Sequence, residues 1–325
     1  MVYRVNRDPI IDGNRVLRVD RMRVGSFEQT PQAQGSTSGY TSGGNTPPKV
    51  NVIDKFPFST DANATDVGNL TQARSSGSGQ SSTENGYTSG GVTQPGSDTN
   101  VIDKFPFASD ANSTDVGDIL AAQKSLGGQS SRTNGYVTGG EYTNVIQKFP
   151  FSIDANSTDV GDLTVIRKGF GGHSSSTNGY NSGGEIPAGP AITNVIDKFP
   201  FAVDENATDV GDLTQSRVSI GSQSSSTHGY KSGGKVTNTG TFGNTIDKFP
   251  FSSDANATDV GDLTSDINGN MGQSSTTNGY VSGGANKPPY TEKNFIEKFP
   301  FSSDANSADV GNLTQARAFG TGQQV

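Results

Sequence analysis

The sequence contains no cysteine and no tryptophan, and its only histidines are His173 and His228. Without cysteine there can be no disulfide and no thiolate metal site, so stability has to come from packing. Two isolated histidines make a catalytic triad or a histidine-based metal centre implausible. These absences argue against an enzyme.

Long apolar runs are also missing. No segment approaches the roughly 20 apolar residues of a membrane-spanning helix, and residues 1–20 lack the apolar stretch of a secretory signal. The net charge is −8, whereas nucleic-acid binders need a basic field. We therefore expect no membrane insertion, no classical export and no nucleic-acid partner.

Glycine, by contrast, is abundant, with 43 residues in 325. Hydrophobic residues make up 30% of the chain, and glycine brings the apolar share near the usual value of about 45–50%. The chain can therefore fold, with a glycine-rich and turn-rich interior.

Internal repeats organise the sequence. The tract Asp54-Lys55-Phe56-Pro57-Phe58 occurs in six versions, whose first phenylalanines are at 56, 105, 149, 199, 249 and 299. A second motif, Gly-Tyr-x-x-Gly-Gly, also occurs six times. The period of 44 to 50 residues is too short for independent domains and longer than most solenoid rungs.

Turn residues divide each unit into four short strands. A polar strand lies around residues 80–82, and a turn at Asn85-Gly86 leads into a second strand that starts at Tyr87. In the third strand, alternation places Phe56 on one face and Ile53 on the other, and Pro57 should mark a bulge or the strand's end.

A fourth strand is predicted near residues 65–70. Four strands in fewer than 50 residues, with apolar groups on both faces, are typical of one propeller blade.

The two ends of the repeated region are complementary. The last copy stops at residues 319–324, after the segment that elsewhere precedes the second strand, and the first copy begins at residues 34–44 with its second strand. We therefore predict an all-β, six-bladed propeller with four strands per blade over residues 33–325. The N- and C-terminal strands share one blade, and an extended N-terminal arm, residues 1–32, precedes the ring.

The order of residues within a unit supports a family resemblance. Arg74, Tyr87 and Gly90-Gly91 are followed by a strand over residues 101–107, and Arg217, Tyr230 and Gly233-Gly234 repeat this order. From about residue 33 to 325 the chain resembles the Kelch repeat family, whose blades place an arginine, a tyrosine-containing strand ending in Gly-Gly and two further strands in this sequence. The resemblance implies a β-propeller.

The uniform copies and the leader at residues 9–17 also resemble bacteriophage tail-fibre and other virion proteins, particularly those of marine phages. This second resemblance implies a location in the virion and a role in host attachment.

One local motif is compatible with a metal ion. Asp61-x-Asn63-x-Thr65 offers oxygen ligands at alternating positions, as calcium loops do. Asp66, however, stands where such loops usually have their glycine, and an Asx turn explains the same residues. We expect the turn, with calcium as the alternative and no other cofactor. The lysine of the Lys-Phe-Pro-Phe tract stands next to an acid in most copies, so we expect it to be paired or solvated.

Function should lie where the copies differ, because near-identical copies supply six equivalent positions. Up-and-down strand order places the second–third and fourth–first connections on one rim of the ring, and these connections vary in length and chemistry. Loops on a rigid scaffold are common sites of recognition. The candidates for exposed partner-binding residues are Tyr142, Phe242, Lys287 and Tyr290; simple sequence drift is the alternative.

The arm alternates apolar and basic residues from Arg15 to Val24, after a predicted turn at Asp12-Gly13-Asn14. Its candidate assembly residues are Arg15, Arg18, Arg21 and Arg23. Such a strand can add to the sheet edge of another subunit, so we expect the arm to bind other virion proteins or sister subunits. The alternative is a flexible tail.

These observations predict a non-enzymatic virion structural protein, a phage fibre, appendage or decoration subunit whose loops bind a host-surface glycan, a host protein or another partner. The alternative is a free carbohydrate- or protein-binding propeller. An enzyme would require a single acidic or histidine cluster in the central channel.

Overall fold

The computed structural model describes residues 34–187, 191–218, 221–236, 240–286 and 290–325, together with the backbone of two short strands, Ile11–Asp12 and Arg15–Val16. Within these residues every regular element is a β-strand. Six sheets of four antiparallel strands form the six blades, which confirms the predicted propeller.

The strands of blades 1 to 3 have the following bounds. They are Thr321–Gln324, Ser38–Asn45, Lys49–Pro57 and Thr65–Asn69 in blade 1; Ser78–Ser81, Asn85–Ser89, Val101–Pro106 and Thr114–Asp118 in blade 2; and Gly127–Ser130, Asn134–Thr138, Val145–Pro150 and Thr158–Asp162 in blade 3.

Blades 4 to 6 follow the same plan. Their strands are Gly171–Ser174, Asn178–Ser182, Val195–Pro200 and Thr208–Asp212 in blade 4; Ser222–Ser224, His228–Lys235, Phe242–Pro250 and Thr258–Asp262 in blade 5; and Met271–Ser274, Asn278–Asn286, Thr291–Pro300 and Ala308–Asn312 in blade 6. Two-residue strands outside the blades are Arg74–Ser75, Val92–Thr93, Glu185–Ile186 and Ala191–Ile192.

The ring closes through blade 1. Its first strand comes from the C-terminus and pairs with the strand that begins at Ser38, from Gly39 opposite Gln324 to Ser42 opposite Thr321. The first strands of all six blades are neighbours around the axis. Both termini of the repeated region therefore contribute to one sheet, as the sequence predicts.

Aromatic clusters hold neighbouring blades together. Tyr40 of blade 1 packs against Phe105 and Phe107 of blade 2, with ring centroids 5.6 and 4.9 Å away, and Ile53 and Leu70 complete the cluster. Equivalent clusters fill the other five seams between blades. Each blade thus buries apolar groups on both faces, which offsets the chain's low hydrophobic content.

The third strand follows the predicted alternation. Ile53 faces blade 2, while Phe56 faces blade 6 through the ring of Tyr280, 5.5 Å away. The strand ends at Pro57, where a missing N–H costs no ladder hydrogen bond. A bulge is present too, but it lies between Ile53 and Asp54, in the pairing with the fourth strand.

The predicted turn at Asn85-Gly86 is wrong by a few residues. The chain reverses just before it, where the Ser82 hydroxyl accepts the backbone N–H of Glu84 and of Asn85 at 3.2 and 2.9 Å. Gly86 already belongs to the second strand and pairs with Phe105. A Cβ at Gly86 would overlap the Phe105 ring, so the glycine is required by packing.

The up-and-down order of the strands gives the ring two different ends. We call the end with the first–second and third–fourth turns the turn rim, and the end with the second–third and fourth–first connections the loop rim. The predicted arm, residues 1–32, lies outside the described residues apart from its two short strands. Those strands pair with Ile11 opposite Val16 and Asp12 opposite Arg15.

Candidate functional site

The lysines of the turn rim form ion pairs with the neighbouring blade. Lys55 Nζ lies 3.2 Å from Asp110 Oδ1, and the five equivalent pairs have distances of 2.5 Å. The pairs are Lys55–Asp110, Lys104–Asp154, Lys148–Asp204, Lys198–Asp254, Lys248–Asp304 and Lys298–Asp61. Pairing of the lysines is confirmed, although the partner is the aspartate of the next blade's third–fourth turn.

The same turns use the oxygens of the candidate calcium motif. Asp61 binds Lys298, and the Asn63 side-chain oxygen accepts the backbone N–H of Asn312 at 3.0 Å. Asp66 accepts the N–H of Gly68 at 3.1 Å. The described residues contain no group of three or more acidic or histidine side chains placed to hold a metal ion. All three side chains therefore have structural partners, and those of Asp61 and Asn63 lie across the seam to blade 6.

The outer edge of each blade is partly capped. In blade 1 the backbone N–H of Asn69 donates to Asn112 Oδ1 at 3.0 Å, and the Asn69 carbonyl accepts the N–H of Ser113 at 2.8 Å. Both partners belong to the turn of blade 2. An edge whose backbone groups already have partners is a poor acceptor for an added strand.

On the loop rim, two of the candidate contact residues are exposed. The side chain of Tyr142 is 74% accessible and that of Tyr290 is 63% accessible. Lys287, Arg18, Arg21 and Arg23 lie outside the described residues, and for Arg15 only the backbone is described.

The prediction that Phe242 is exposed is wrong, since only 3% of it is accessible. In blade 5 the second and third strands extend into the connection, with Lys235 paired to Phe242. This extension makes Phe242 part of the sheet. Its ring centroid lies 5.9 Å from that of Tyr290, so the buried ring supports the exposed one.

A charged network lies at the base of the Tyr142 loop. Glu141 binds Lys124 at 3.0 Å and Lys168 at 3.1 Å, and Lys124 also binds Asp98 at 3.3 Å. The hydrogen bond from Lys124 lowers the pKa of Glu141. The network joins blades 2, 3 and 4 and fixes the residue that precedes Tyr142.

On the loop rim, three exposed apolar residues were not predicted from the sequence, namely Leu120, Val165 and Ile166. They follow the fourth strands of blades 2 and 3, at positions where the first copy has Thr71, Gln72 and Ala73. The N–H of Leu120 donates to Gln147 Oε1 of blade 3 at 2.8 Å, which places Leu120 against the blade that carries Tyr142. Comparison of the copies position by position would have found them.

Buried arginines support the loop rim from below. Arg74 Nη2 lies 2.9 Å from Asp103 Oδ2 of blade 2, and both side chains are almost inaccessible. Its other contacts are the carbonyl oxygens of Val101 and Thr88 at 2.9 and 2.8 Å. Arg167–Asp197, Arg217–Asp247 and Arg317–Asp54 repeat the pair.

The remaining two seams carry different residues at these positions. Gln123 and Gln147 stand in one, and Ile267 and Glu297 in the other. In the sequence, Arg74 and Arg217 support only the family resemblance. The ion pairs could not be predicted from it, because each joins residues about 30 positions apart or, for Arg317–Asp54, the two ends of the chain.

The two histidines lie in different parts of the propeller and do not form a cluster. His173 is buried, with Nδ1 3.1 Å from the Gln223 carbonyl and Nε2 2.7 Å from the Ser182 hydroxyl, and burial lowers its pKa to about 3. It is therefore a neutral hydrogen-bonding group in the seam between blades 4 and 5. His228 lies on the turn rim and contacts Thr227 Oγ1 at 2.8 Å.

None of the described residues forms a helix long and apolar enough to cross a membrane. Comparison with known proteins yields no matching family model and no curated protein of significantly similar sequence.

Proposed function

We propose that this propeller is a non-enzymatic virion structural protein, a phage fibre, appendage or decoration subunit. Its loop rim binds a host surface or another partner, and its arm, residues 1–32, anchors it to the particle or to sister subunits. The repeat itself we propose to be Kelch-like, on the order of Arg74, Tyr87 and Gly90-Gly91 within the blade. The uniform copies and the leader at residues 9–17 support the phage context.

The contrast between the rims carries the proposal. On the turn rim the charged and amide side chains of the third–fourth turns bind the neighbouring blade. On the loop rim Tyr142 and Tyr290 extend into solvent from connections that differ between blades. Exposed tyrosines are suited to recognition because one ring offers both apolar area and a hydroxyl. We therefore assign partner binding to the loop rim.

The arm is assigned to anchoring because of its charge. Residues 1–30 contain six arginines in a chain of net charge −8. The outer edges of the blades are partly capped, so we place the arm's partner outside the propeller of its own subunit. A virion protein or the arm of a sister subunit fits that role.

Electron microscopy of the full-length protein, beside a version that starts at Pro31, tests the arm. All strands of the six blades lie within residues 38–325, so the shorter protein should form single rings while the full-length protein forms defined multimers or fibres. Single rings from both would remove the self-assembly role. Attachment to a different virion protein, or a free binding module, would then be the better account.

A glycan array and binding to bacterial cells test the loop rim. We expect Tyr142→Ala with Tyr290→Ala to reduce binding at least tenfold, because exposed aromatic contacts are frequent hot spots. The matched control is Ile153→Ser with Val203→Ser, which removes exposed apolar residues from the turn rim and restores the serine of other copies. Equal loss in both double variants would contradict the assignment.

A free carbohydrate- or protein-binding propeller is the second candidate. The same exposed tyrosines favour it. It gains if the protein that starts at Pro31 retains full binding while the full-length protein stays monomeric.

A further inference from the structure

A narrow channel runs along the axis of the ring. All six first strands line it. Glycine, serine and glutamine make up most of its wall, and among the described residues that line it none is charged. The channel is therefore polar but neutral.

Glycine lets the first strands approach closely. A Cβ at Gly128 would overlap the carbonyl oxygen of Gly79, and one at Gly322 would overlap that of Gly272. Blade 5 has Ser222 at this position, and its hydroxyl donates to the Gly172 carbonyl at 2.7 Å. The strands thus stand close enough for their side chains to meet around the axis.

Five serines form a ring toward the turn-rim end of this channel. We call Ser81, Ser130, Ser174, Ser224 and Ser274 the serine ring. Each side-chain oxygen accepts a backbone N–H from the first strand of the preceding blade, at 2.9 to 3.1 Å. All five are at least nine-tenths buried, and all five line the channel.

The hydroxyl protons of the serine ring are not used within the wall. Each oxygen accepts one hydrogen bond, and no described residue accepts a hydrogen bond from any of the five hydroxyls. A buried donor without an acceptor costs free energy. Accepting an N–H also polarises the O–H bond and makes it a better donor. The ring therefore offers five activated donors to the channel.

We propose that the serine ring binds one small monovalent anion of halide size on the axis of the propeller. Such an anion accepts several hydrogen bonds and donates none, which matches a ring whose free groups are all donors. None of the described residues that line the channel carries a carboxylate to repel it. The proposal rests on the propeller alone and is independent of the function proposed above.

The line width of the ³⁵Cl resonance of sodium chloride tests the site, since bound chloride relaxes faster than free chloride. We expect the full-length protein to broaden the line, and bromide to reverse the broadening by competition. Ser130→Ala with Ser224→Ala should weaken binding by about tenfold for each hydroxyl removed. Ser222→Gly, which restores the glycine of the other blades, is the control and should leave the broadening unchanged.

A gain-of-function variant keeps the test decisive if the alanine variant fails to fold. Gln324 takes the place of the sixth serine in blade 1, and its backbone N–H already donates to Ser81 Oγ. Gln324→Ser completes the ring, so we expect tighter chloride binding. Absence of protein-dependent broadening, or equal broadening in the original protein and in both ring variants, overturns the proposal and leaves water as the partner of the hydroxyls.

Discussion

The two rims are held by different kinds of ion pair. On the turn rim six Lys–Asp pairs join neighbouring blades, and their side chains remain partly exposed, such as Lys198 at 27% and Asp254 at 59%. Below the loop rim the Arg–Asp pairs are completely buried, as for Arg167 and Asp197. The exposed pairs occur in all six seams, whereas the buried pairs occur in four.

The difference shows where sequence variation is tolerated. An exposed pair contributes little to stability on its own. Its repetition in all six seams makes the turn rim regular, but no single seam depends on it. A buried pair is costly to break, and two seams have instead replaced both partners. These replacements lie below the rim whose connections differ most between blades.

Breaking one buried pair should have the largest effect on stability. In Arg74→Ala, Asp103 keeps its bonds from Thr71 at 3.1 and 2.6 Å but loses its buried counter-ion. We expect a loss of about 3–5 kcal/mol in the free energy of unfolding. Denaturant titration with intrinsic tyrosine fluorescence measures it.

The chain itself supplies the control for this prediction. Gln123 and Gln147 stand at the positions of Arg74 and Asp103 in the next seam. The double variant Arg74→Gln with Asp103→Gln should therefore be markedly more stable than Arg74→Ala. If both variants lose the same free energy, charge pairing is not what the buried residues contribute.

The sequence predicts the features of a single blade better than the contacts between blades. Six copies of Gly-Tyr-x-x-Gly-Gly and of the Phe-Pro-Phe tract were enough to predict the blades, the ring closure and the opposite faces of Ile53 and Phe56. Partners across seams were not predictable. The sequence places Lys55 beside Asp54, yet Lys55 binds Asp110 and Asp54 binds Arg317.

The candidate site was predicted less completely than the fold. Tyr142 and Tyr290 are exposed as expected, but Phe242 is buried because strand pairing extends through its connection. Whether a connection continues the ladder depends on pairing registers that its short, irregular sequence does not specify.

Blade 5 provides a second test of the cost of a buried charge. Its Lys231 is buried at the position where blades 1 and 2 have Thr41 and Thr88. Burial lowers its pKa well below the usual value, and Arg217 and Arg167 lower it further. We expect Lys231→Thr to raise the free energy of unfolding at pH 7 by about 1–2 kcal/mol. Lys235→Thr, at a partly exposed position of the same strand, should change it little.

The pH dependence of this stability difference shows whether the charge of Lys231 causes it. In the unfolded chain Lys231 keeps its proton up to about pH 10.4. In the folded state its lowered pKa makes it lose the proton at a lower pH. The free energy of unfolding should therefore rise as the pH increases from the lowered pKa to about 10.4. The advantage of Lys231→Thr should then shrink as the pH increases from 7 toward that value. A constant advantage would point to packing instead of charge.

The smallest effect is expected on the turn rim. Lys198→Gln removes one exposed pair with Asp254, and we expect a loss of at most about 1 kcal/mol, because exposed charges stay solvated in either state. The loss should decrease further between 0.05 and 1 M salt, where screening becomes strong. The same titration used for Arg74→Ala gives both values on one scale. A loss close to that of Arg74→Ala, unaffected by salt, would mean that the six uniform pairs bear the stability of the ring, and that their repetition reflects structural necessity at every seam.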